Sequence, residues 1–167
     1  MRTLVALALV ATVAIAGGAS ASPAGAAVGP AARPASCKLL KNAEITAALD
    51  QPAGPGTDEI VPEVCQWPLL ATADRAPGTV NSFVERGARA REDFAIAVDF
   101  AAGEGERVPD LGRKAVYNPS VGALYVLADR STLFYVQANL YAADKTRITD
   151  GLRESLVELA NRVEPRV

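Results

Sequence analysis

The sequence predicts an α+β domain: an antiparallel β-sheet packed against an N-terminal and a C-terminal helix, with a middle helix and one disulfide. Three observations predict it. Two β-rich runs, Ala123–Leu127 and Thr132–Ala138, flank the short polar loop Ala128-Asp129-Arg130-Ser131, which is the pattern of a hairpin. Ile148, Leu152, Leu156, Leu159 and Val163 recur at helical spacing, the stripe of a core-facing helix. Cys37 and Cys65 are the only cysteines, and they bracket a helical pattern and a Pro/Gly loop. The sole tryptophan, Trp67, stands two residues beyond Cys65.

At 167 residues and a net charge of −2, the chain has room for one domain and a leader. Half of it is apolar, enough for a core. Histidine is absent, which removes Ser-His-Asp and Cys-His nucleophilic sites, His-ligated zinc and the usual neutral-pH base. Two cysteines are too few for a Cys-only zinc site. No catalytic, cofactor-binding or metal-ligating residue is therefore expected. No basic patch interleaved with aromatics is present, so no nucleic-acid partner is expected.

The N-terminus reads as an export signal, residues 1–21. Met1-Arg2 gives a positive end, Leu4 to Gly17 is an uncharged Ala/Val/Leu run, and Ala19-Ser20-Ala21 offers small residues for cleavage. Cleavage after Ala21 is expected, and Ala24-Gly25-Ala26 also fits. The apolar run is shorter than the roughly 18–20 residues a spanning helix needs, so no membrane span is expected after cleavage. A retained anchor is the alternative. Residues 22–36, rich in Ala, Pro and Gly, read as a disordered tether before a single domain at 37–167. Lipidation at Cys37 fails on spacing, because a proline stands three residues before it, far beyond the apolar run. The expected location is extracellular or cell-wall associated.

In an oxidising compartment a lone cysteine pair most simply forms one intramolecular disulfide, Cys37–Cys65. A redox pair would call for Cys-x-x-Cys spacing, which is missing, and an intermolecular bridge is the other alternative. Between the cysteines, a short helix starts at Lys41 or Asn42 and ends near Leu49-Asp50, with Leu40, Ile45 and Leu49 on one face. Glu44 sits in its first turn, where a carboxylate suits the helix dipole. The run Gln51 to Gly56 stops the helix. Ile60 to Val64 makes a poor strand because Pro62 interrupts it. Cys65-Gln66-Trp67 enters the first true strand, Cys65 and Trp67 sharing a face, with Trp67 as core filling.

Pro68, Asp74-Arg75 and Pro77-Gly78 punctuate the next part of the chain. Thr79 to Glu85 then forms a strand, with Val80, Ser82 and Val84 on one face and Phe83 on the other. Two readings compete over 88–102. Strict alternation of Phe94, Ile96, Val98 and Phe100 argues for a strand. The charged, Ala-rich setting argues for a helix with Phe94, Ala97, Val98 and Ala101 as its stripe, and the length favours helix. Gly103 to Glu106 is a turn, too acidic and wrongly spaced for a phosphate loop. Val108 to Gly112 is a tight turn into a strand at Lys114 to Tyr117. The hairpin comes next; locally either face could be inward, and Phe134, Val136, Ala138 and Leu140 form the more continuous apolar row. In the last helix Asp144 or Thr149 serves as cap, and Gly151 falls inside the first turn.

These pieces resemble a known group. Cys37-Leu39-Leu40 leads into Ala43-Glu44-Ile45, and a loop closes on Cys65 and Trp67. A Val-Pro-x-Leu-Gly-x-x-Ala turn spans Val108 to Ala115, and the last helix carries Leu159, Ala160 and Val163. The chain looks like the small exported domains of unknown function common in actinobacterial cell envelopes, many of them lipoproteins. It departs from them in lacking a lipid-attachment cysteine in the leader. The resemblance implies an α+β domain with helices against an antiparallel sheet, and it carries no catalytic residue.

The expected function is a non-catalytic binding or accessory domain for an envelope or extracellular partner: a protein, lipid or glycan. Tyr117, Tyr125, Tyr135 and Tyr141 could line its surface, tyrosine combining apolar area with a polar tip. The plainer expectation is that they are half-buried strand residues. The alternative function is a hydrolase using two carboxylates, drawn from Glu104, Glu106 and Asp110, because that chemistry needs no histidine.

Overall fold

The computed structural model describes residues 35–58, 63–101 and 103–167. The export signal, nearly all of the tether, and the proline-broken stretch at 60–62 lie outside these residues. The described chain is α+β, as the sequence predicts. One antiparallel sheet contains β1 (Cys65–Leu69), β2 (Arg75–Arg86), β3 (Glu106–Arg107), β4 (Lys114–Asn118), β5 (Ala123–Leu127) and β6 (Thr132–Ala142). The spatial order is β1-β2-β6-β5-β4-β3. The helices are α1 (Asn42–Leu49), α2 (Arg89–Phe100) and α3 (Leu152–Val163), with 3-10 turns at Ala35–Lys38 and Glu164–Arg166.

Period-two alternation sorts the strand side chains onto two faces. On one face lie Trp67, Val80, Leu124, Phe134 and Val136, all at most 1% exposed. They join Ile45 and Leu49 of α1 and Leu152, Leu156, Leu159 and Val163 of α3 in the main core. The opposite face is covered only in part. There Val116, Leu127 and Leu133 form a second, smaller core with Ala90 and Phe94 of α2 and Ala101, which follows it.

The competition over residues 88–102 resolves in favour of the helix. Strict alternation would have placed Phe94, Ile96, Val98 and Phe100 on one face. Instead Phe94 is buried while Ile96 and Phe100 are 60% and 68% exposed. The stripe that packs is Ala90, Phe94, Ala97 and Ala101, spaced by three and four residues.

Cys37 and Cys65 are bonded, with their Cα atoms 4.9 Å apart, so the first 3-10 turn is fastened to β1. The packed chain starts slightly before the expected boundary. Ser36, assigned to the tether, is buried: it donates to Glu63 O, and its carbonyl accepts from Ser82 Oγ at 3.1 Å. Residues 52–57 run beside β1, with Gly54 N–H to Pro68 O (2.8 Å), Leu70 N–H to Pro52 O (2.8 Å) and mutual bonds between Thr57 and Gln66. Gln51 anchors this strap from a fully buried position, its Nε2 donating to Leu70 O and Ala76 O at 3.0 Å each.

Three local expectations change. Arg75 to Gly78 are not punctuation but the first part of β2, whose register with β6 shifts between Ala76 and Thr79. Glu106 leaves the expected turn to pair with Tyr117 as an edge strand. The last helix begins at Leu152, with Gly151 as its N-cap at φ 68°, a conformation that costs glycine little. Neither Asp144 nor Thr149 caps it. Asp144 instead accepts Thr146 N–H at 2.9 Å in a turn, and Ile148 reaches the core from extended chain bonded to Leu140 O.

The two ends of the described domain meet in one ion pair. The Arg166 guanidinium grips Glu44 through both nitrogens, at 2.6 and 2.8 Å, and also donates to Leu39 O at 2.6 Å. The same carboxylate accepts Lys41 N–H at 2.9 Å, one half of a capping box; lysine has no acceptor to complete the other half. Bonding to Arg166 holds the Glu44 carboxyl at a pKa of about 2, against a partial opposing effect of burial. Because the folded pKa is depressed, this stability is present above the unfolded value of 4.5 and is lost as pH falls towards 2. Both partners keep some solvent contact, so Arg166→Ala should cost about 1–2 kcal/mol at neutral pH, discounted for screening. In that variant the Glu44 titration, followed by carbon NMR, should move up towards 4.5. A Glu44 titration that stays put would mean the pair does not form.

Candidate functional site

Two features are candidates: the strip of the second sheet face that α2 leaves largely uncovered, and a cavity beside α2. The strip belongs to β1, β2, β6 and β5, whose outward residues come into line once the register is fixed. Phe83, Tyr135 and Tyr125 are directly opposed neighbours on three strands. Phe83 stacks on Tyr135 with ring centroids 5.7 Å apart, and Tyr125 is tilted against Tyr135 at the same separation. Two residues along the strands lies a row of amides. Gln66 Nε2 donates to Asn81 Oδ1 at 3.0 Å, and Asn81 Nδ2 donates to Gln137 Oε1 at 3.2 Å. Gln137 Nε2 ends the chain on Val121 O at 3.1 Å. All six side chains are half-buried, and Tyr125 also packs against the smaller core under α2.

The six side chains of the two rows carry no formal charge at neutral pH. Burial raises the pKa of Tyr135, with Tyr125 beside it a smaller cause, and burial raises that of Tyr125. Both phenols therefore keep their protons at neutral pH and can donate as well as accept. Linked amides polarise one another and hold fixed donor and acceptor positions on a flat surface.

The sequence-predicted tyrosines separate into three situations. Tyr125 and Tyr135 sit together in the aromatic row. Tyr141 lies on the same face, farther along β6. Tyr117 points the other way into the main core, 3% exposed, and cannot contribute to a surface. Gln66, Asn81, Gln137 and Phe83 carry no sequence signal as a group. Each alternates with core residues on its own strand, and only the pairing of strands that are distant in the chain aligns them.

The second feature is a cavity of about 480 Å³ between α2 and the chain from Arg107 to Val116. Phe94, Val98, Val108 and Leu111 give it apolar walls, and Arg107, Asp110, Arg113 and Lys114 are its charged members. Of the three carboxylates considered for hydrolysis, Asp110 alone lines this cavity. Glu106 pairs with Arg153 at 3.1 Å, and Glu104 lies exposed in the turn after α2. The structure does not gather the three into one pocket. Among the described residues, no three His, Cys, Asp or Glu side chains converge as a metal site. Among them, too, no helix is long and apolar enough to cross a membrane.

Fold and face together define a disulfide-stapled α+β domain with a half-covered sheet. Comparison with known proteins finds no matching family model, no matching curated protein and no matching solved structure.

Proposed function

We propose that the protein is an exported, non-catalytic binding or accessory domain, and that its ligand surface is the uncovered strip of the sheet. The supporting observation is the aromatic row Phe83–Tyr135–Tyr125 running beside the amide row Gln66–Asn81–Gln137. A neutral glycan suits that pairing best among protein, lipid and glycan partners. Ring faces pack against the apolar C–H faces of sugars, while amides and phenols exchange hydrogen bonds with hydroxyls. Export is supported by the three-part N-terminal pattern, and the disulfide is compatible with an extracellular location. The likeness to actinobacterial envelope domains points to the cell surface.

The test is an NMR titration of the labelled protein with neutral oligosaccharides prepared from envelope polysaccharide. Shifts should concentrate on β1, β2 and β6 around Asn81, Tyr135 and Gln137. Tyr135→Ala and Gln137→Ala should each weaken binding by about tenfold, a loss of roughly 1.4 kcal/mol, while far-UV circular dichroism is unchanged. Shifts that cluster away from the strip, or full affinity in both variants, would remove this surface from consideration.

A further inference from the structure

We infer that the cavity beside α2 is a second ligand site, suited to an amphiphile with one anionic head and an apolar tail. The cavity of about 480 Å³ falls within the roughly 300–1,000 Å³ typical of small-molecule sites. It opens where the two cores approach each other. Phe94 belongs to the core beneath α2, and Val108 and Leu111 belong to the main core. A tail entering here meets apolar side chains of both, on walls that the fold has already set in place.

The charges favour an anion at the mouth. Arg107, Arg113 and Lys114 line the cavity against one carboxylate, Asp110, so three positive charges less one negative leave a local excess of two. Among the described residues, none of these three cations is in an ion pair; the pairs that form there use Arg153, Arg162 and Arg166. Arg113 is also held by its backbone, its N–H donating to Leu127 O at 2.8 Å, which fixes where its side chain leaves the loop. An apolar wall with unpaired cations at its rim is complementary to a fatty-acid-like carboxylate. A neutral chain gains only the wall, and a headgroup alone gains only a solvated rim.

Calorimetric titration of the purified protein with four probes tests this: dodecanoate, dodecanol, dodecyltrimethylammonium and inorganic phosphate. Dodecanoate should bind one to one, with dodecanol and the ammonium amphiphile about tenfold weaker or more and no saturable phosphate binding. The double variant Arg113→Gln with Lys114→Gln changes exposed side chains only. It should lower dodecanoate affinity about tenfold while leaving dodecanol within about twofold. Val98→Trp, which fills the cavity, should abolish both, whereas Tyr135→Ala should affect neither. Equal binding of dodecanoate and dodecanol would overturn the inference. So would phosphate binding as tightly as dodecanoate, or no saturable binding of any amphiphile.

Discussion

Trp67→Ala should lower the unfolding free energy by about 3–5 kcal/mol, the range for removing a large buried aromatic. Trp67 is 1% exposed on the inner face of β1, between Cys65 and Leu69 and opposite Val80 on β2. The strap lies directly on it: a Cβ added at Gly56 would stand 2.5 Å from the indole nitrogen and 2.8 Å from Cys65 Sγ. Nothing that close can be large, and a packed neighbourhood relaxes only partly around a cavity. Urea unfolding followed by circular dichroism gives the measurement. A loss below about 1 kcal/mol would place Trp67 outside the cooperative core.

Cys37→Ser with Cys65→Ser should cost about 3–4 kcal/mol in the chain-entropy account, from a sequence separation of 28. The reduced wild-type protein should show a similar loss in the same urea titration. Small domains hold about 5–15 kcal/mol in all, so either change removes a large share. Cys65 and Trp67 are near neighbours on one strand face, and both touch the ground under Gly56. The combined variant should therefore lose less than the sum of the two. Equal stability of oxidised and reduced protein would show that the bond follows packing the chain already has.

The faces of the individual strands were legible in the sequence, and the assembly of those strands was not. Alternation in Cys65-Gln66-Trp67 and in Phe134-Tyr135-Val136 separates the two faces, but in the hairpin only the more continuous apolar row pointed to the inner one. Spacing left helix α2 open, since both periods fitted, and the length of the run with its charged, Ala-rich setting favoured the helix that forms. Ile148 misled because a helical stripe can be continued by extended chain: it fits the period yet packs from outside the helix. The edge strand at Glu106–Arg107 is two residues long and carries no pattern of its own. The candidate face depends on register. Asn81 and Gln137 meet across 56 residues of sequence, and nothing local to either announces the other. The Arg166–Glu44 fork spans 122 residues and was invisible for the same reason, although Glu44 was correctly placed in the first turn of α1.

The strand order has a kinetic consequence. β1 with β2 and β4 with β5 and β6 are each built from chain neighbours, but the longest pairing, β2 with β6, joins the two groups across the middle of the sheet. Loop-closure entropy must be met before that seam returns any stabilisation, so the domain should fold slowly for its size. Until β6 arrives, the inner edge of β2 presents unpaired amides and carbonyls along its length, while the strap guards only the outer edge of β1. The interval before that seam closes is when this chain is most open to pairing with another copy of itself.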